Sequence, residues 1–148
     1  MTLDAIHAAI PHRAPMLLVD EVVEQDANRI LCRRTFRADE YFFQGHYPHF
    51  PLVPGVILCE SAMQAGAILL SPRVREVGGV PVVTRMREVK FKRMVRPGET
   101  IDLEVTLDEQ RGGAFFLTAR VTCQGQIAAR FEFACKMASP DAPEFDGG

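Results

Sequence analysis

This chain is short of the features that mark most specialised protein classes. No segment repeats, and no linker interrupts its 148 residues, which excludes a solenoid and a tandem-domain reading. No C-x-x-C pair occurs. Cys32, Cys59, Cys123 and Cys135 are far apart, each within an apolar stretch, so they read as reduced core thiols of a cytoplasmic protein. No basic segment leads into a long apolar run near the start, so no signal peptide is expected. The longest apolar stretch, residues 52–70, is interrupted by Glu60, Ser61 and Gln64 and led by prolines, which argues against a membrane span. Charge of one sign is not in excess, with a net value of −2.

The charge that is present is unevenly placed. Arg85, Arg87, Lys90, Lys92, Arg93 and Arg96 accompany a single acid, Glu88. Such a patch suits an acidic partner or a phosphate and is too small to argue for nucleic acid. The opposite bias marks residues 138–148, where Asp141, Glu144 and Asp146 occur without a base and core-forming residues are missing. Residues 1–137 are expected to form a single domain, followed by a disordered tail over 138–148.

Local patterns predict an α+β fold. Residues 3–10 look helical and stop at Pro11. Residues 16–23 and 29–36 read as strands about a turn at Asp26-Ala27-Asn28, and 38–43 as one helical turn. A helix is expected from Pro54, at a first helical position, to about Leu70, with Pro72 stopping it. It is apolar on nearly every side, so it should be buried on most faces. Extended segments follow at 81–91, 101–107, 115–123 and 127–137, with turns at Pro97-Gly98, Gly112-Gly113 and Gly125. These read as a meander. A curved antiparallel sheet of about six strands wrapped around one long central helix accounts for the whole pattern.

Chemistry concentrates between residues 45 and 64. His46 follows Gly45, which can take an unusual backbone angle, and precedes Pro48, Pro51 and Pro54, which stiffen the loop. An imidazole on a rigid loop suits a general base, and it ordinarily titrates near neutrality. Structural hydrogen bonding is the alternative role for a single histidine. Glu60 is flanked by apolar residues at 56–59, 62, 63, 65 and 67, so its carboxyl should be desolvated and able to stay protonated. Gln64, four residues on, shares its helical face. Gly55 lies at the expected helix start. Its N–H is free of an intrahelical partner and can polarise an oxyanion, or the glycine serves only to turn the chain. His46 and His49 lie three apart without a third ligand of matching spacing, so no metal is expected. His7 and His12 read as packing or loop residues.

These residues resemble the 3-hydroxyacyl-[acyl-carrier-protein] dehydratases of the FabZ type, which have the hot-dog fold. The resemblance covers about residues 5–137. It rests on Ile10-Pro11-His12-Arg13, Leu17-Leu18-Val19-Asp20, Phe42-Phe43-Gln44-Gly45-His46-Tyr47-Pro48, Pro54-Gly55-Val56, Glu60, Gln64, Phe91-Lys92-Arg93 and Pro97-Gly98. It implies His46 as the base for the C2 proton and Glu60 as the acid for the C3 hydroxyl. It also implies Gly55 N–H on the thioester carbonyl and Gln64 as support for Glu60. No cofactor and no metal are implied. The partners implied are an acyl carrier protein, docking on Lys90, Lys92, Arg93 and Arg96, and a second copy of the chain. The loop histidine of one subunit would face the helix glutamate of the other, and dimers could assemble into a trimer of dimers. Neither nucleic acid nor membrane is implied. The chain departs from the usual pattern at Tyr47, His49, Val53, Met94 and the Met86-Arg87 pair. A hot-dog thioesterase using Glu60 as base, and a non-catalytic acyl-binding module, are the competing readings.

Overall fold

The computed structural model describes residues 2–139 and 141. Helix α1, Leu3–Ala9, begins where the Thr2 hydroxyl accepts a hydrogen bond from the Ala5 N–H at 3.4 Å. Its last carbonyls are taken by Arg13, which donates to His7 O at 3.0 Å and Ile10 O at 2.9 Å. Strands β1 (Glu21–Gln25) and β2 (Arg29–Thr35) form a hairpin, and a 3-10 turn at Tyr41–Phe43 leads into the proline-rich loop. Helix α2 spans Gly55–Val77, followed by β3 (Val80–Phe91), β4 (Thr100–Arg111), β5 (Ala114–Cys123) and β6 (Gln126–Ala138).

The six strands form one antiparallel sheet in the order β1-β2-β4-β5-β6-β3. Strands β4, β5 and β6 are a true meander. Strand β3 does not continue it: α2 carries the chain across the sheet, so β3 pairs with β6 at the far edge. Register places apolar rows on the inner face. Cys32, Leu103, Val121 and Ala129 stand side by side across four strands, as do Ile30, Val105, Ala119 and Phe131, and all are buried. The helix supplies Leu58, Ala62, Ala65, Ile68 and Leu69 against them. Truncating one such leucine or isoleucine to alanine costs ~2–5 kcal/mol. The outer face carries ion pairs between neighbouring strands, such as Arg29–Glu104 at 2.6 Å and Arg33–Asp102 at 2.9 Å.

Three local expectations are corrected. Pro54 caps α2, Gly55 is its first helical residue, and the helix runs through Pro72 to Val77, ending at Gly78 with φ 82°. Pro72 has no N–H for the Ile68 carbonyl, a loss of one helical bond, and its ring stands on the exposed side of the helix. At 23 residues with mean hydropathy 1.3, α2 is long and apolar enough to cross a membrane, but the sheet buries most of it. Second, residues 17–20 are not strand. The Leu18 N–H and C=O are engaged by side chains of α2, Gln64 Oε1 at 2.7 Å and Ser61 Oγ at 2.6 Å, so no neighbouring strand is needed to satisfy them. Third, Ala138, placed at the head of the tail, belongs to β6 and pairs with Val80. Of the rest of that tail, only Ser139 and Asp141 lie within the described residues.

Candidate active site

The loop that carries His46 is anchored at both ends. Before it, Phe42 and Phe43 are buried, and Glu40 is ion-paired with Arg34. After it, Val53 is buried and its N–H donates to Val95 O at 2.7 Å, which ties the loop to residues 92–96. The left-handed residue inside it is Tyr47, with φ 49°, and not Gly45. A turn in which Phe50 N–H donates to Tyr47 O at 2.8 Å holds that conformation. A bulky residue there costs ~1–3 kcal/mol, the kind of strain that fixed site geometry sustains.

His46 is held by its own loop. Its Nδ1 lies 3.2 Å from the Leu52 carbonyl oxygen. A carbonyl can only accept, so Nδ1 carries the proton, and the neutral ring is left with a lone pair on Nε2. His46 lines a groove of about 820 Å³ together with Gly55, Phe91, Lys92, Arg93 and Arg96. Gly55 brings the start of α2 to the wall of this groove. No intrahelical carbonyl is available to its N–H, and the helix dipole adds positive potential. The Phe91 ring lies close against it, 2.8 Å from where a Cβ would stand.

Glu60 lies elsewhere in the same chain. It lines a smaller hollow of about 250 Å³ with His12, Gln64, Met63, Ala67, Pro81, Val83 and Cys135. The helix is buried on most faces, as expected, and one stretch stays partly open here. Val56 is 72% exposed, while Glu60, Met63 and Ala67, further along the same face, are only partly covered. The Glu60 side chain retains 28% exposure. Gln64 is buried and fully occupied. Its Oε1 accepts from Leu18 N–H, and its Nε2 donates to Met16 O at 2.8 Å and to Glu60 Oε2 at 2.9 Å. That pattern fixes the amide orientation. The His12 Nε2 stands 3.9 Å from the same Oε2.

The structure thus groups His46 with Gly55, and Glu60 with Gln64, in two separate hollows. The basic residues are divided as well. Lys92 and Arg96 are exposed beside the groove, with Arg96 over the Phe50 ring at 5.4 Å. Arg93 is occupied internally, donating to Glu99, Gln124, Gln126 and Met94 O. Its hydrogen bond holds the Glu99 carboxyl below the usual carboxylate range. Lys90 sits apart, in a hollow with Glu88 and Arg130. His12, read from the sequence as a packing or loop residue, is the site neighbour that was missed. Nothing in the spacing of residues 12 and 60 announces their contact, because the fold brings the segment after α1 onto α2.

Comparison with known proteins places this geometry. The six-stranded sheet and its long helix are similar to solved hot-dog structures. The dehydratase heterocomplex ApeI:P from Xenorhabdus doucetiae superposes with a TM-score of 0.76 at 18% identity, covering 91% of each chain. The phenylacetic acid degradation protein PaaI of E. coli gives 0.63 at 17% identity, covering 78% of this chain and 81% of that one. These define the class as a hot-dog protein. The sequence model for ApeI-like dehydratases matches residues 22–131. The 3-hydroxyacyl-[acyl-carrier-protein] dehydratase FabZ of Oenococcus oeni is 43% identical over 129 residues, 86% of this chain and 93% of the relative. The FabZ of Clostridium perfringens is 39% identical over 132 residues, 89% and 95% respectively. The chain belongs to the 3-hydroxyacyl-[acyl-carrier-protein] dehydratase family.

Proposed function

We propose that this protein dehydrates (3R)-3-hydroxyacyl thioesters, carried on an acyl carrier protein, to trans-2-enoyl thioesters in fatty-acid or related acyl synthesis, and catalyses the reverse hydration. The observation that carries the reading is the 3.2 Å contact of His46 Nδ1 with the Leu52 carbonyl oxygen, which assigns the proton to Nδ1. With Nδ1 committed to Leu52 O, Nε2 is a base, in the groove that also holds the N-terminus of α2 at Gly55.

A C–H beside a thioester is a weak acid, so base and enolate stabilisation must act together. His46 Nε2 takes the C2 proton. The Gly55 N–H donates to the thioester oxygen as negative charge gathers there, an effect worth ~3–4 kcal/mol when one such donor is removed. Glu60 gives its proton to the C3 hydroxyl, the C3–O bond breaks and water leaves, while the former C2–H electrons become the C2=C3 bond. A proton returned from imidazolium to Glu60 resets the pair. Acid–base catalysis of this kind contributes ~10²–10⁴-fold.

Two copies of the chain complete the site in this reading. His46 and Glu60 occupy different hollows of one protomer, so a second protomer must bring the opposite member of each pair. The edge strand β3 offers the surface: Val83, Met86, Val89 and Phe91 are exposed on it, next to the exposed Val56 of α2. An open apolar edge of this length favours pairing with another strand. Carrier docking falls to Lys92 and Arg96, since Arg93 is spent within the chain and Lys90 lies away from the groove. Four buried free thiols fit a reducing, cytoplasmic location.

The test is the enoyl-thioester absorbance during incubation with a crotonyl or short 3-hydroxyacyl thioester. Turnover by the wild type that collapses in both His46→Ala and Glu60→Gln supports the reading. Acyl-thioester binding without turnover contradicts it, and release of free thiol points to a thioesterase.

A further inference from the structure

We propose that His12 is a positioning residue for Glu60, acting with Gln64 to hold the transferable proton on one chosen oxygen of the carboxyl. The inference rests on the assignment of Glu60 as the acid. Both neighbours address the same atom: Gln64 Nε2 is 2.9 Å and His12 Nε2 is 3.9 Å from Glu60 Oε2. The first is a hydrogen bond. The second is within ion-pair range and longer than a hydrogen bond.

The identity of the donors follows from what surrounds them. Gln64 cannot flip, because its Oε1 is bound by Leu18 N–H and its Nε2 also serves Met16 O. The His12 Nδ1 is buried and has no hydrogen-bond partner among the described residues. A neutral ring with its proton on Nε2 presents that N–H to Oε2 and leaves Nδ1 as a bare acceptor. The opposite tautomer would bury an unpaired donor and aim a lone pair at a carboxylate, a double penalty. The backbone at this point is fixed by Arg13, whose guanidinium donates to His12 O at 2.7 Å as well as to Ile10 and His7 carbonyls. An orphaned buried ring nitrogen is a cost that a packing residue need not bear. Contact with the acid gives it a reason.

The chemical consequence is directional. A protonated carboxyl has one hydroxyl oxygen and one carbonyl oxygen, and N–H donors prefer the carbonyl oxygen. Two donors on Oε2 therefore put the proton on Oε1, the oxygen left to face the substrate hydroxyl. When Oε1–H breaks and the proton goes to the departing water, the same two donors stabilise the carboxylate left behind. The hollow presents few other titratable groups to this pair. Strand β3 contributes Pro81 and Val83, β6 contributes the Cys135 thiol, and His7 lines the adjoining hollow beyond His12.

The experiment compares wild type, His12→Leu, His12→Gln, Glu60→Gln and the double variant His12→Leu/Glu60→Gln, with folding followed by thermal melting. Crotonyl-thioester hydration is measured for kcat, KM and the pH profile. His12→Leu fills space without a donor and should lower kcat about 10–100-fold with KM within about threefold. It should also move the pH limb that disappears in Glu60→Gln to higher pH, because the carboxylate loses a donor. His12→Gln keeps an N–H at similar reach and should retain most activity. In the Glu60→Gln background, His12→Leu should add little, since the residue acts through Glu60. Should His12→Leu fail to fold, His12→Ala takes its place in the same comparison. Unchanged kcat and pH profile in the folded donor-free variant, or equal losses in both backgrounds, overturns the assignment of His12 alone. Full activity of Glu60→Gln overturns the acid assignment, and this one with it.

Discussion

The ring of Phe91 lies over Gly55, with Cε1 2.8 Å from the place a Cβ would occupy. A near-identical distance recurs inside the core, where Phe133 Cζ lies 2.9 Å from the Cβ position of Gly66. The two contacts have different consequences. Phe91 is 53% exposed at the end of the edge strand and can swing away. Phe133 is 3% exposed and packed beside Phe131 at a ring distance of 5.5 Å.

Gly66→Ala is therefore expected to destabilise the protein by ~1–3 kcal/mol through overpacking, despite the better helix propensity of alanine. Gly55→Ala should leave the melting temperature nearly unchanged but lower turnover, because the displaced Phe91 ring enters the groove and the new methyl crowds the Gly55 N–H. Thermal or urea unfolding beside an activity assay separates the two. A stable Gly66→Ala with a melted Gly55→Ala would contradict the account.

The proposed sharing of sites between subunits predicts complementation. Mixed and re-associated, inactive His46→Ala and Glu60→Gln chains form heterodimers in which one site has both mutations and the other has neither. Random mixing should restore about a quarter of wild-type activity, since roughly half the dimers are mixed and half their sites are intact. Recovery near zero, with mixed dimers verified by mass, would place both residues in one protomer's site.

Reversing charge at Lys92 or Arg96 should raise KM more for carrier-borne substrate than for a carrier-free thioester, with the difference shrinking as salt is added. Arg93→Glu should behave differently. It breaks bonds to Glu99, Gln124 and Gln126, so its main effect should be a lower melting temperature. Equal KM effects from all three would show Arg93 to be a docking residue as well.

The buried thiols set a basic limit to stability. Burial pushes Cys32 and Cys135 up to about 12 and Cys59 to about 11, from an ordinary value of 9.0. Each folded thiol keeps its proton more tightly than the unfolded one. This contribution is complete below pH 9, and it is lost as pH rises from there through the folded values, by up to ~1.4 kcal/mol per unit per thiol. Urea midpoints should fall between pH 8.5 and 10.5, and the fall should be smaller in Cys32→Ala. A flat profile would show that these thiols do not titrate with unfolding.

The sequence revealed most of this where one residue type decides the outcome locally. Alternation in 101–107 and 115–123 marks strands because their inner faces are buried by α2, and the glycine and proline turns delimit them. Gly55 could be read as a helix start and Gln64 as a neighbour of Glu60, since both follow from helical spacing. What stayed hidden depends on tertiary contacts. Pro72 looks like a stop and is not one, because it forfeits a single helical bond in a helix whose preceding turn, residues 68–71, is buried against the core. Leu17-Leu18-Val19 looks like a strand, yet the Leu18 backbone is satisfied by helix side chains. The contact of His12 with Glu60 spans 48 positions and leaves no periodic trace.

The bonds from Gln64 to Met16 and Leu18 give the site a clock. Glu60, the proposed acid, is oriented by an amide that also holds an irregular backbone segment with no strand pairing at Leu18 to back it up. If that segment opens while the sheet stays closed, the Leu18 amide exchanges with solvent and Glu60 loses its support in the same event. Competence of the proposed acid would then have the lifetime of one local closure, not of the folded domain, and the exchange rate of a single N–H would report it.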